Sequence, residues 1–357
     1  MNTDLLQSKQ HFQILDGLRG VAALAIVIFH FMEMVFEFSK NFIGHGFLAV
    51  DFFFCLSGFV IAYAYDNRIA GMGTWEFFKG RLIRLHPLIV FGSALGLVSF
   101  LIDPFSAYSN VYSAGKLALM SLASIFLIPL PIAEERSFNL FTLNAPTWSL
   151  FWEYIVNIFY ALILYRLSRR PLLLLTVIAG LILCFVSFRA GNLLGGWSGG
   201  TFWDGGARVC YSFMIGMLIF RSNWIIKNKL GFAGLAALLS LAFIMPYSDW
   251  NWLTEAIVVL FYFPLIVALG AGATVSPEMR KLCEFSGNIS YPLYMTHYMV
   301  IWVFLNYYTA YKPETAQLTL IIIIGTMLLI AFAYLVMMFY DIPIRSYLVR
   351  IRKQKLR

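Results

Sequence analysis

The sequence predicts an all-α fold, a polytopic membrane helix bundle with about ten transmembrane helices and one re-entrant or interfacial helix. Three observations carry that reading. Of the 357 residues, 61% are hydrophobic and only 12% are charged, whereas a soluble chain carries roughly a quarter charged residues. Apolar runs repeatedly reach the roughly 20 residues that a spanning helix needs. The basic residues behind the net charge of +8 fall in short connections and the C-terminal tail. That distribution reads as membrane topology and not as a nucleic-acid surface.

The polar start, MNTDLLQSKQHFQ, leads into a first span at 17–36 with no small-residue cleavage site after it, so this span is expected to be retained. Further spans are expected at 46–65, 87–103, 147–166, 171–188, 206–221, 230–246, 253–272, 289–308 and 317–341. With the N-terminus inside, the inner face collects twenty of the 26 Lys and Arg residues, from Lys9 and Arg19 to Lys355 and Arg357. This positive-inside bias is that of a cell inner (plasma) membrane protein with both termini cytoplasmic. If the stretch 116–131 crossed as well, every later span would invert and RLSRR and RKQKLR would face outward. Its short length and its ending in Pro129 and Pro131 therefore read as a re-entrant or interfacial helix. Residues 191–206, GNLLGGWSGGTFWDGG, read as a Gly-rich outer loop. No internal repeat stands out, so 1–357 reads as a single membrane domain with a cytoplasmic tail from about 345. Cys55, Cys184, Cys210 and Cys283 are scattered without CxxC or Cys/His spacing, so no metal site is expected.

Ionisable residues inside the apolar runs carry the functional reading, because each costs roughly 2.5 kcal/mol or more at membrane depth and so faces a cavity or a partner. The first span, LDGLRGVAALAIVIFHFMEMVF, holds Asp16 and Arg19 near its start and His30 past its middle. Arg19 and His30 stand about 16 Å apart along a helix. His30 is either a general base in a dry site or a histidine hydrogen-bonded between helices. Asp16 caps the helix or binds a cation, and Arg19 meets a ligand or snorkels to the surface. Asp51 in AVDFFFCLSGFVI either orients a histidine or an acceptor hydroxyl, or caps its helix. Arg81 and Arg84 in TWEFFKGRLIRLHPL share a helix face, suited to a phosphorylated ligand, although inner loops are basic in any case. In NAPTWSLFWEY, Ser149 and Glu153 share a face, and Trp148 and Trp152 fit interfacial anchors. Glu153 is open to substrate binding, histidine orientation or a structural hydrogen bond. Ser290, Tyr294 and His297 line one stripe of the ninth span, while Tyr291 and Tyr298 read as aromatic packing.

Taken together, LDGLRGVAAL with the later His30, AVDFFFCLSGFVIA, FKGRLIRLHPL, APTWSLFWEY and GNISYPLYMTH stand in the order found in the integral-membrane acyltransferase family 3, the O-acetylases of cell-surface glycans, and the chain resembles that family over nearly its whole length. The resemblance implies ten spans and transfer of an acyl group, most often acetyl, from cytoplasmic acyl-CoA to a hydroxyl of a cell-surface or lipid-linked glycan. The family's first-span histidine corresponds to His30, which is expected to be catalytic, either deprotonating the acceptor hydroxyl or becoming transiently acylated, with Glu153, Asp51 or His297 orienting it or holding the acceptor. The family's arginines correspond to Arg19, Arg81 and Arg84, where donor phosphates are expected, and its Trp-Ser-Glu segment to Trp148, Ser149 and Glu153. Asp16, Trp148, Ser149 and Tyr294 are expected to contact substrate, with Tyr294 or Ser149 donating to the developing oxyanion. Departures from the family pattern fall at Ala49, Gly80 and His86. Acetyl-CoA would be the donor, with no metal; the partners would be a glycan and the bilayer, and no nucleic acid. A transporter or flippase for a glycan or lipid-linked sugar is the competing reading, since it too needs ionisable residues at mid-depth.

Overall fold

In the computed structural model, which describes residues 12–106 and 112–354, helices dominate and no strand occurs among the described residues. Lys9, Lys355 and Arg357 lie outside the described residues. The helices run in the order α1 (Gln13–Glu33), α2 (Ala49–Tyr65), α3 (Ile69–Met72), α4 (Thr74–Ile102), α5 (Ala114–Ile125), α6 (Thr147–Leu162), α7 (Arg169–Ala190) and α8 (Phe202–Arg221). They continue with α9 (Gly231–Phe243), α10 (Asn251–Ile257), α11 (Phe263–Gly272), α12 (Pro277–Thr296), α13 (Tyr298–Tyr311), α14 (Thr315–Val336) and α15 (Ile342–Gln354).

The chain is an all-α polytopic membrane protein. Six stretches among the described residues are long and apolar enough to cross a bilayer: Gln13–Glu33, Gly46–Tyr65, Thr74–Ile102, Arg169–Ala190, Asn251–Gly272 and Thr315–Gln354. The other expected spans are helical as well, but α6 and α9 are shorter and α8 carries Asp204, Arg208 and Arg221.

Three boundaries differ from the sequence reading, each for a local reason. The helix expected to start at Pro87 begins at Thr74; the proline removes one donor, and α4 runs through it. Arg81 and Arg84 therefore sit on a helix and not in a loop. The ninth expected span is two helices that meet at His297. There the imidazole Nδ1 is 2.9 Å from the Tyr294 carbonyl, taking the place of a backbone donor in the ladder. The last span and the tail form one helical stretch, Thr315–Gln354, that passes through a π turn at Met337–Asp341. Arg352 on α15 holds this end to α4 by donating to the Glu76 carboxylate at 2.9 Å. By contrast, α5 matches the expected short helix. Its 12 residues span about 18 Å, and it ends where Leu127 takes φ 53° before the two prolines.

Close crossings set the geometry of the site. A Cβ on Gly58 of α2 would stand 1.9 Å from the Phe213 carbonyl oxygen of α8, and one on Gly216 of α8 would stand 1.9 Å from that of Cys55 on α2. These reciprocal contacts let two backbones touch, as small residues do in membranes. Across α1 and α12, Ser286 Oγ donates to the Gly17 carbonyl at 3.0 Å. That second crossing carries His30 and His297 to the same level.

Candidate active site

Beside His30 lies a chamber of about 330 Å³. His30 and Glu33 of α1, Val50 of α2, Trp148 of α6, Arg208 of α8, Tyr294 of α12, and Tyr298 and Trp302 of α13 line it. Arg136, Ser137, Asn139 and Trp197 close it from the connections before α6 and α8. Glu33 ends α1 one turn after His30, and its carboxylate pairs with His30 Nδ1. A carboxylate there favours the Nδ1–H tautomer, which leaves Nε2 as the lone-pair nitrogen. Tyr298 meets the His30 ring edge-on at 5.1 Å.

His297 stacks on His30 with ring centroids 5.2 Å apart and planes 23° apart. It is fully buried. Its Nε2 has no hydrogen-bond partner among the described residues. It backs the His30 ring and does not line the chamber.

A second chamber, of about 190 Å³, is basic at one end and apolar elsewhere. Arg19, Arg81, Arg84, Ser149, Glu153, Ser290 and Tyr291 line it, with Phe53, Phe54, Leu56, Ile61 and Leu150 among its apolar walls. Arg19 does not snorkel to the surface. It donates to Asp16 Oδ1, Ser290 Oγ and the Gly287 carbonyl, each at 3.0 Å, and so clamps α1 to α12. Arg81 donates to Glu153 Oε1 at 2.8 Å, and its buried Nε has no partner among the described residues. Arg84 forms no ion pair or hydrogen bond among the described residues. Beyond Arg19 and Arg84, an open pocket of about 500 Å³ continues past Gln13, Asp16, Glu284 and Asn288.

Val50 and Tyr294 line both chambers and form the wall between them. The Tyr294 hydroxyl is 2.8 Å from Ser149 Oγ and 3.2 Å from the Pro146 carbonyl, and Ser149 Oγ donates to that same carbonyl at 2.9 Å.

The residues singled out in the sequence thus divide. His30, Trp148 and Tyr294 meet at the first chamber, with His297 behind. Arg19, Arg81, Arg84, Ser149 and Glu153 meet at the second, and Asp16 stands at its mouth. Glu153 does not pair with His30: its Oε1 accepts from Arg81, from Ser57 Oγ at 2.6 Å and from Asn157 Nδ2 at 3.1 Å. Asp51 caps nothing, since α2 begins at Ala49 without a side-chain cap. Asp51 binds Arg208 through Nη2 at 2.6 Å and Nε at 3.1 Å, and both residues are almost wholly buried. The Arg208 guanidinium lies 5.1 Å from the Trp148 ring and faces the His30 chamber.

Sequence reasoning missed Glu33, Arg208 and Tyr298 as site residues. Glu33 was findable, being three residues after His30 on one helix face. Arg208 lies 157 residues from Asp51; opposite charges inside two apolar spans were its only signal. Tyr291 also departs from the packing role expected of it, donating to the Leu85 carbonyl at 2.6 Å on the wall of the arginine chamber. Outside the spans, burial and the nearby Glu255 carboxylate push the Tyr247 phenol above its ordinary range.

Comparison with known proteins bears on the family of the chain. A family model described as an acyltransferase domain matches residues 12–338. "Protein 2 in picA locus" of Rhizobium radiobacter is 35% identical over 49% of this chain and 93% of its own length. "O-acetyltransferase OatA" of Staphylococcus aureus is 24% identical over 96% of this chain and 58% of its own length, so the chain spans less than two thirds of that relative. No solved structure matches. With a family model covering most of a helical membrane chain that holds an imidazole chamber and an arginine chamber side by side, the chain belongs to the integral-membrane acyltransferase family 3.

Proposed function

We propose that the protein is a membrane-embedded O-acyltransferase. It moves an acyl group, most often acetyl, from cytoplasmic acyl-CoA to a hydroxyl of a cell-surface or lipid-linked glycan. One observation carries the reading: the carboxylate-paired His30 and the arginine cluster occupy neighbouring chambers that share a wall at Val50 and Tyr294.

Acyl-CoA arrives from the cytoplasmic side through the pocket at Asp16 and Glu284. Its phosphates meet Arg84, Arg81 and Arg19, where guanidinium groups suit phosphate oxygens. The pantetheine arm lies along the apolar part of that chamber, which brings the thioester to the wall. His30 Nε2 takes the proton of the acceptor hydroxyl while Glu33 stabilises the resulting imidazolium. The acceptor oxygen attacks the thioester carbon, and CoA leaves as the thiol once the proton returns to its sulfur. Charge that develops on the acyl oxygen faces Arg208, which Asp51 holds in place. Ser149 and Tyr294 satisfy each other and the Pro146 carbonyl, so they serve the wall and not the oxyanion. The aromatic rings of Trp148, Trp197 and Trp302 give sugar faces a surface to stack on. The proposed location is the inner (plasma) membrane with both termini cytoplasmic.

The test uses inverted and right-side-out membrane vesicles from source cells that lack the chromosomal copy and express the protein from a plasmid. Both receive radiolabelled acetyl-CoA, and alkali-released acetate is counted in the glycan fraction. Inverted vesicles are expected to label the glycan and right-side-out vesicles are not. Label that stays on CoA in both orientations refutes the reading.

A further inference from the structure

We propose that Val50 sets which acyl groups this protein transfers, an inference that rests on the donor assignment above. An acyl group delivered from the arginine chamber has to pass the wall before it meets His30, and Val50 and Tyr294 are the two residues that line both sides of that wall. Neither side can yield. The Tyr294 hydroxyl is tied to Ser149 and to the Pro146 carbonyl, and Phe53 meets its ring edge-on at 6.1 Å. On the other side, the next residue after Val50 is Asp51, fixed by two bonds to Arg208. Two turns on, Gly58 and Gly216 lock the same helix backbone to α8. Val50 therefore cannot retreat by moving its helix, and a β-branched side chain in a helix is held to one rotamer. The opening is then set by the size of the residue at position 50.

In the transfer, the thioester C–S bond breaks and the acyl carbon bonds to the acceptor oxygen. The hydroxyl proton passes to His30 and then to the CoA thiolate. The acyl tail takes no part in this exchange, so the wall discriminates on size alone. In an apolar pocket one methylene is worth about 10- to 200-fold in transfer efficiency.

The experiment offers acetyl-, propionyl- and butyryl-CoA to inverted vesicles carrying wild-type protein, Val50→Ala or Val50→Ile, and measures the acids that alkali releases from the glycan fraction. Val50→Ala is expected to raise the propionyl-to-acetyl and butyryl-to-acetyl ratios by about tenfold or more. Val50→Ile is expected to lower the propionyl-to-acetyl ratio by a similar factor. Each readout is a ratio within one preparation, so a change in the amount of folded protein does not move it. Should one variant fail to accumulate, the other decides. Ratios within twofold of wild type in the variant that is read overturn the inference. Wild-type vesicles that transfer no acyl group from any of the three donors overturn the donor assignment instead.

Discussion

The two chambers hold their charges in opposite ways. Around His30, two ion pairs fix the charges closest to the ring: Glu33 on His30, and Asp51 on Arg208. In the arginine chamber, Arg84 is left without an ion pair among the described residues and Arg81 keeps a buried Nε unsatisfied. Charges held in fixed pairs are pre-arranged for a reaction, since their dipoles need no reorganisation as charge develops. A site with unspent donors is arranged for an anion that comes and goes. On the proposed function, the contrast would separate chemistry from donor capture in space and make each chamber answer to a different kinetic quantity.

Removing the reactive group tests that separation most sharply. His30→Ala is expected to lower kcat by about 10²- to 10⁴-fold with little change in the KM for acyl-CoA. A variant that transfers acetyl at the wild-type rate would sink the assignment. Next in size is the pair behind the chamber. Asp51→Ala leaves the Arg208 charge buried and unpaired, a change that costs about 3–5 kcal/mol, so thermal unfolding of the detergent-solubilised protein should begin many degrees lower. Unaltered unfolding would mean that the pair does not brace the chamber. In the arginine chamber, Arg84→Ala is expected to raise the KM for acyl-CoA by about 10- to 100-fold, the worth of a hydrogen bond to a charged group, while kcat stays within a few fold. A loss confined to kcat would erase the distinction between the chambers. The smallest effect is expected at the wall. Tyr294→Phe removes one hydroxyl bond of about 1 kcal/mol, so transfer should fall by less than tenfold.

The sequence made the membrane bundle and most of the site legible because buried ionisable residues stand out against apolar spans. His30, Arg19 and Glu153 were visible for that reason, and the separation of Arg19 from His30 along one helix matches their places in different chambers. What it hid were partnerships. Glu153 and His30 both sit at membrane depth, and nothing local says that Arg81 and Ser57 claim the carboxylate first. Asp51 looked free for the same reason, since Arg208 reaches it only through the α2–α8 crossing at Gly58 and Gly216. Arg136 and Asn139 come from a connection with no periodicity, so no pattern could have aimed them at the chamber. The break at His297 was hidden too, because the imidazole competes for a carbonyl inside what reads as an unbroken apolar run.

The wall of Val50 and Tyr294 carries one more consequence. In the proposed orientation one chamber faces the cytoplasm and the other faces outward, so a continuous file of water through both would short-circuit the proton gradient of the cell. An isopropyl group opposite a phenol whose hydroxyl is already engaged by Ser149 offers such a file nothing to bind. The same two side chains that admit a small acyl group would thereby keep the membrane electrically tight.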